Sequence, residues 1–257
     1  MSFTRKFPWI LSLALVPLTA SCRTRDAGDT GAPGAQLAMS DEYPGSPYLG
    51  EVAKVLYGDI WERPGLSRRH RSMITIAVLQ ALELEELRWH IDFAFENGLT
   101  QDEISEIILH TTFYAGWPTG VSASRVAADV FRQRGLPVGQ SAATWQPPSD
   151  SVVTYTSGAY AAVPKLGELR NSLLYGDIWE RPHLSKRERS MLTVAVSQAT
   201  YVNELRGNMR LALDEYGVTQ EEITEIILHV AFYSGWPGAV NAGGQAAELF
   251  EERGLPF

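Results

Sequence analysis

The chain contains one long sequence unit written twice, and this duplication constrains its fold more than any other feature. Residues 57–64 (YGDIWERP) recur letter for letter at 175–182, and residues 106–110 (EIILH) recur at 225–229. The period is far longer than that of a solenoid repeat, and the two copies align over the whole unit with a single one-residue insertion. The sequence therefore indicates two copies of one domain in tandem.

The domain boundaries follow from where the two copies begin and end. We expect the first domain to span 47–137 and the second to span 164–257. Residues 138–163, which are rich in Pro, Ser, Thr and Gly, are the predicted linker between them.

The pattern of residues 1–22 predicts a lipoprotein signal peptide that is not part of the fold. Arg5 and Lys6 precede an apolar stretch too short to span a bilayer, and small residues lead to Cys22, the only cysteine. This pattern resembles a bacterial lipobox, which implies cleavage before Cys22 and a lipid on its thiol; the alternative is a plain secretory signal. We expect an exported protein anchored on the periplasmic or extracellular face of a bacterial membrane, with residues 23–46 as a flexible tether.

Each copy of the repeated unit has the pattern of a helical domain. Apolar residues recur at helical spacing over 47–61, and a further helix is predicted over 83–97. Ser67 is a good N-cap for an almost wholly apolar central helix, and Thr100 with Glu103 forms a capping box for the next. Since no convincing segment alternates with period two, the predicted fold class is all-α.

Charge and motif content exclude some partners. The formal net charge is −8, whereas phosphate binding needs a clustered basic surface, so we expect no nucleic-acid partner. The sequence has no metal-ligand spacing, phosphate-binding loop or serine-nucleophile motif, so no metal site is predicted.

The ordered motifs GDIWERPGLSRRHRSM, EELRWH and EIILHTTFYAGWP resemble the carboxymuconolactone decarboxylase family. The resemblance covers about 47–136 and 164–255, and it implies a helical, cofactor-free protein that assembles into rings. A tandem chain would then form a homo-trimer with a pseudo-hexameric arrangement. The related alkyl hydroperoxidase D-like proteins use a Cys-x-x-Cys pair, but glutamates stand at both matching positions here, which excludes thiol peroxidase chemistry.

The resemblance also implies a reaction in which carbon dioxide leaves and a proton is delivered to carbon. Glu86 and His90 are four residues apart on one predicted helix, and we expect them to form the proton-transfer pair, with Glu86 raising the pKa of His90. The alternative is an ordinary surface ion pair. His110 is a candidate second acid or oxyanion donor, although a histidine near a helix C-terminus also has a structural explanation.

Substrate-binding candidates come from both copies. Arg71 could clamp a substrate carboxylate in bidentate fashion, unless it forms a structural ion pair with Asp59 or Glu62. The other predicted substrate-binding residues are Trp117, Glu204, Asn208 and His229.

The two copies differ at one candidate position, because His90 aligns with Asn208. Asparagine cannot shuttle a proton, so we expect the first copy to carry the chemistry while the second is structural or completes a neighbouring pocket. The predicted function is a cofactor-free, decarboxylase-like lyase acting on a small carboxylated lactone or related carbon acid. The alternative is a membrane-tethered, non-catalytic oligomeric binding or scaffold protein.

Overall fold

The computed structural model describes Tyr43, residues 45–139 and residues 156–257. The predicted signal peptide, Cys22, most of the tether and the central part of the linker lie outside the described residues. Among the described residues the regular structure is helical and no strand occurs, so the predicted all-α class is confirmed. None of the described helices is long and apolar enough to cross a membrane.

The two repeats form matching series of helices. The first contains α1 (Leu49–Gly58), a 3-10 turn (Ile60–Glu62), α2 (Arg68–Ala81), α3 (Leu87–Glu96), α4 (Gln101–Ala115) and α5 (Trp117–Gln133). The second contains α6 (Gly158–Ala162), α7 (Pro164–Leu169), a π-helical segment (Arg170–Ile178), α8 (Lys186–Ala199), α9 (Leu205–Asp214), α10 (Gln220–Ser234) and α11 (Trp236–Glu252). Helix α6 lies within the segment predicted as linker.

The helix starts follow the capping residues in the sequence. Ser67 accepts a hydrogen bond from the backbone N–H of His70 at 3.1 Å, and Thr100 forms a complete capping box with Glu103. Such caps contribute about 1 kcal/mol each because they satisfy backbone donors that have no partner within the helix. The predicted starts of α2 and α4 are therefore confirmed.

Helix α3 begins later than the sequence pattern predicted. The expected helix started at Glu83, but that residue has a left-handed φ of 55° and lies in the turn after α2. Residues with positive φ cannot continue a right-handed helix. Consequently α3 starts at Leu87, and Glu86 is its N-cap rather than a residue within it.

The core is built by packing across the two repeats. Helices α2 and α8 pack against each other, and each also contacts both α4 and α10. All residues from Arg71 to Gln80 in α2 are buried. Ile74 and Val78 of the first repeat pack in the cluster that contains Met191 and Val230 of the second. All described residues therefore belong to one compact unit in which the repeats share their cores.

Candidate functional site

Two clusters of buried polar and aromatic side chains lie where the central helices meet α4 and α10, and each cluster draws on both repeats. We call the first the His90 cluster; it consists of Trp61, Thr75, His90, His229 and Tyr233. We call the second the Asn208 cluster; it consists of Trp179, Thr193, Asn208, His110 and Tyr114. In the first cluster Thr75 of α2 contacts His229 of α10, and in the second Thr193 of α8 contacts His110 of α4. Each histidine–threonine contact is thus made between the two repeats.

Hydrogen bonds between the repeats connect polar groups of the His90 cluster. The indole N–H of Trp61 donates to the phenol oxygen of Tyr233 at 2.9 Å. The Oγ1 of Thr75 lies 2.9 Å from Nε2 of His229 and donates to the backbone carbonyl of Arg71 at 2.8 Å. The network therefore joins two elements of the first repeat to α10 of the second.

His90 sits in an aromatic environment on α3. Its ring centroid is 4.5 Å from that of Trp89, 5.5 Å from that of Tyr233 and 6.2 Å from that of Trp61. Only 4% of the residue is exposed, and this burial lowers the pKa of His90 to about 3. The imidazole is therefore neutral near pH 7, because the aromatic surroundings disfavour its charged form.

The other titratable groups of the cluster are also neutral. Burial lowers the pKa of His229 well below its usual value, and the nearby charge of Arg71 lowers it further. Burial likewise raises the pKa of Tyr233, so its phenol keeps its proton. The His90 cluster thus combines two neutral imidazoles and a protonated phenol in a largely apolar enclosure.

The Asn208 cluster repeats most of this network. Trp179 donates to Tyr114 at 2.9 Å, and His110 Nε2 lies 3.0 Å from Thr193 Oγ1. Thr193 donates to the backbone carbonyl of Arg189 at 2.9 Å. Burial, followed by the charge of Arg189, lowers the pKa of His110 to about 3.

The Asn208 cluster differs from the His90 cluster at the position of His90 itself, where the second repeat has Asn208. The Nδ2 of Asn208 donates to Ser197 Oγ at 2.8 Å, and Ser197 aligns with Leu79 of the first repeat. A cavity of about 10 Å³, on the order of one water molecule, borders Asn208 and Thr193. The second cluster keeps the histidine–threonine–tyrosine–tryptophan network and lacks a second imidazole.

Buried ion pairs between the repeats lie beside both clusters. Arg71 is fully buried, and its Nη2 donates to Glu225 at 2.8 Å, while Arg63 contacts the other oxygen of Glu225 at 2.7 Å. Arg189 and Glu106 form the matching pair at 3.1 Å. Burial opposes ionisation of Glu225, but hydrogen bonds from Arg63 and Arg71 lower its pKa overall.

The predicted pairing of Glu86 with His90 is wrong. The Glu86 side chain is exposed at the N-cap of α3, whereas His90 is buried. The backbone N–H of His90 donates to the Glu86 carbonyl at 3.1 Å, but no side-chain hydrogen bond or ion pair between the two residues is found in the described part of the chain. The pKa of His90 is lowered rather than raised, and burial is the cause. The i,i+4 spacing failed because the turn at Glu83 delays the helix and directs Glu86 toward solvent.

The structure also separates other candidates from His90. His110 belongs to the Asn208 cluster, and His229 from the second repeat occupies the corresponding place beside His90. Arg71 pairs with Glu225 rather than with Asp59 or Glu62, so one edge of its guanidinium is already occupied by a carboxylate. A bidentate substrate clamp at that edge is therefore not available.

Two further candidates lie at the surface. Trp117 is 72% exposed and borders a groove of about 420 Å³ on α4 and α5, so it does not line the His90 cluster. Glu204 is exposed at the N-cap of α9, as Glu86 is in α3. Asn208 and His229 are the two second-repeat candidates that lie in the clusters.

The sequence pattern did not identify Thr75, Tyr233 or Trp61 as site residues. A signal was present, because Thr75 aligns with Thr193 and Tyr233 aligns with Tyr114. Polar side chains retained in both copies inside apolar helices indicate a shared buried network. What they contact depends on packing between the repeats, which the helical pattern does not encode.

Two cavities beside α4 and α5, of about 470 and 420 Å³, are lined by neither His90 nor His229. The larger is also bordered by Arg181 and His183 from the second repeat. Among the described residues, no three His, Cys, Asp or Glu side chains are grouped to hold a metal ion. The His90 cluster is therefore the strongest candidate site on chemical grounds, because it brings two imidazoles together.

Comparisons with known proteins agree with the duplicated helical frame. The model of the carboxymuconolactone decarboxylase family matches residues 48–129 and 164–248. The chain is 46% identical over 86 residues to 4-carboxymuconolactone decarboxylase of Acinetobacter baylyi, which covers 33% of this chain and 64% of that protein. It is 37% identical over 81 residues to nitrosuccinic acid decarboxylase of Metarhizium robertsii, covering 31% and 54% respectively. The matched segments span less than two thirds of either relative.

Proposed function

The chain belongs to the carboxymuconolactone decarboxylase family, and on that premise we propose that it decarboxylates a small organic acid at the His90 cluster. The observation that carries this proposal is that His90 and His229, one from each repeat, both pack against Trp61 and Tyr233 in one aromatic enclosure. Perturbed titratable groups concentrated in one buried place are typical of functional sites.

The proposed substrate is an acid whose leaving carboxylate is attached close to an electron-withdrawing group. The names of the two relatives describe a carboxylated lactone and a nitro-substituted dicarboxylic acid. In both compounds a lactone carbonyl or a nitro group can accept the electron pair left behind by departing carbon dioxide. This class of acids suits a site in which an imidazole can deliver a proton to carbon.

The proposed step is a proton-assisted loss of carbon dioxide. The bond between carbon and carboxylate breaks, its electron pair moves into the lactone carbonyl or nitro group, and a proton then adds to carbon. His90 is neutral before binding, but a bound anion in this apolar enclosure would raise its pKa, so that the ring takes up a proton from water and becomes the imidazolium before the site closes. His90 then gives the proton to carbon and returns to the neutral form.

Substrate access in this proposal involves the outer aromatic rings. Tyr57 and Trp89 are half-buried, lie with their centroids 6.0 Å apart, and flank the Trp61 and His90 side chains. Since His90 itself is almost fully covered, a substrate would reach it by displacing one of these rings. Exclusion of water after closure would strengthen the electrostatic interaction between the imidazole and the anion.

The test is release of carbon dioxide from 4-carboxymuconolactone and from nitrosuccinate by the full chain and two variants. We expect His90→Asn to lower kcat about 10²-fold or more, which is the usual contribution of a positioned acid. Asparagine is a suitable replacement because the second cluster already holds it at this position. Glu86→Gln should keep kcat within about threefold, because its carboxylate is exposed.

Two results would overturn the proposal. An equal loss of kcat in His90→Asn and Glu86→Gln would show that the exposed Glu86 carboxylate is as necessary as His90, which contradicts proton transfer within the buried cluster alone. A folded wild-type chain that releases carbon dioxide from neither compound would reject these substrates and favour the second candidate, a non-catalytic binding or scaffold protein. The closed and aromatic character of the His90 cluster is the observation that favours that second candidate.

A further inference from the structure

The Thr75 hydroxyl lies within hydrogen-bond distance of both the Arg71 carbonyl oxygen and His229 Nε2, and it has a single proton to donate. Its Oγ1 lies 2.8 Å from the backbone carbonyl oxygen of Arg71, and a carbonyl can only accept. Two oxygens at that separation need a proton between them, since their lone pairs otherwise repel. The Thr75 proton is therefore committed to Arg71, and the hydroxyl oxygen is an acceptor toward His229.

This assignment determines the tautomer of His229. A bare Nε2 would direct its lone pair at the lone pairs of the Thr75 oxygen, whose single proton is committed to Arg71. His229 Nε2, at 2.9 Å from that oxygen, must therefore carry a hydrogen.

The remaining ring nitrogen of His229 has a different environment. Its Nδ1 is buried and finds no hydrogen-bond partner among the described residues. Because the ring is fully buried and neutral, the hydrogen on Nε2 leaves Nδ1 with a bare lone pair. The ring thus offers the site one acceptor and no free donor.

We infer that Thr75 is a positioning residue that holds His229 as the tautomer protonated on Nε2, so that Nδ1 is the one basic nitrogen that this ring presents. The consequence for catalysis rests on the proposed function: His229 can accept a hydrogen bond from a substrate or from His90 but cannot donate one. The proton delivered to carbon then comes from His90, and the second repeat supplies a fixed acceptor beside it.

The Asn208 cluster supplies a matched control within the same chain. Thr193 donates to the Arg189 carbonyl at 2.9 Å and lies 3.0 Å from His110 Nε2, so the same argument applies to His110. His110 Nδ1 is likewise buried without a hydrogen-bond partner in the described part of the chain. Removing the Thr193 hydroxyl should therefore allow His110 to adopt either neutral tautomer, without affecting the His90 cluster.

The experiment is nitrogen NMR on the full chain labelled with ¹⁵N only at its five histidines. Long-range proton–nitrogen correlations distinguish a protonated from a bare ring nitrogen, and the His229 signals are assigned by their loss in His229→Asn. In the wild type we expect a protonated Nε2 and a bare Nδ1. Thr75→Val, which keeps the shape of the side chain, should populate the opposite tautomer or a mixture, and Thr75→Ser should restore the wild-type pattern.

Activity measurements complete the test. We expect Thr75→Val to lower kcat about tenfold with a smaller change in KM, and Thr75→Ser to recover most of the loss. Thr193→Val should shift only the His110 signals and leave kcat unchanged. A wild-type His229 that is protonated on Nδ1, or a Thr75→Val spectrum identical to the wild type, would overturn the inference. Failure of the proposed function would appear separately, as absent turnover with the NMR pattern intact.

Discussion

Single residues decide which of the two clusters can move a proton. His90 and Asn208 occupy equivalent positions on α3 and α9, and the Asn208 amide donates to Ser197, whereas the His90 imidazole packs against Trp61, Trp89 and Tyr233. Trp89 next to His90 is replaced by Gly207, which removes one wall of the aromatic enclosure. The proposed chemistry therefore belongs to the cluster that keeps His90, although both clusters retain the threonine–histidine contact.

His110 of α4 and His229 of α10 give a prediction at the scale of single residues. We expect His229→Asn to lower kcat at least tenfold, because His229 neighbours His90, whereas His110→Asn should leave kcat within about twofold. Both histidines are fully buried, so thermal unfolding of each variant controls for a loss of folded protein. Comparable losses of kcat at matched stability would contradict the assignment of the site to the His90 cluster.

At the scale of helices, buried charges fix how α10 packs on α2. Glu225 of α10 receives the guanidinium groups of Arg71 and Arg63, and Gly65 lies so close that an added Cβ would be 2.6 Å from the Glu225 side chain. His183 occupies the position of Gly65 in the second repeat and is exposed. The ion pairs thus specify the contact between repeats, while the apolar core supplies most of its stability.

Removing the Glu225 charge tests this view of the helix contact. Glu225→Gln leaves the buried Arg71 without its counter-charge, and we expect it to lower the free energy of unfolding by about 3–5 kcal/mol. Glu51→Gln, which breaks the exposed pair with Lys54, should change it by less than about 1 kcal/mol. Chemical denaturation measures both, and similar values for the two variants would argue against a role for the buried pair in packing.

For the whole molecule, the duplication has produced one folded unit rather than two separate ones. Both repeats contribute to each hydrophobic core and to each polar cluster, so neither half contains a complete site. The second repeat supplies His229 and Tyr233 to the first, as a completing partner would. Export, lipid attachment at Cys22 and assembly as a trimer stay predictions.

The three buried histidines predict how the stability of the molecule depends on pH. Burial lowers the pKa of His90 and His110 to about 3, and that of His229 is lowered well below 6.5. The unfolded chain therefore binds more protons below pH 6.5, so stability is greatest above that pH and falls as the pH decreases toward 3. Each histidine contributes about 1.4 kcal/mol per pH unit in this window.

Denaturation at several pH values between 4 and 8 checks this expectation. The free energy of unfolding should be nearly flat above pH 7 and decline steadily below pH 6. His110→Asn should reduce the slope below pH 6, because one buried histidine with a lowered pKa is removed while His90, His229 and the partly buried His70 remain. A slope unchanged by the substitution would show that these histidines do not govern the acid sensitivity.

The local features of the sequence determined the helical class, the repeat, and the helix starts at Ser67 and Thr100, because capping and apolar spacing act within a few residues. They also identified His90 and His229 as candidates. Only the tertiary structure decided that these two histidines lie in one cluster, that His110 lies in the other cluster, and that Glu86 faces solvent. The reason is physical: α2 and α8 pack against each other and against both α4 and α10, and contacts made across repeats leave no trace in the helical period of either one.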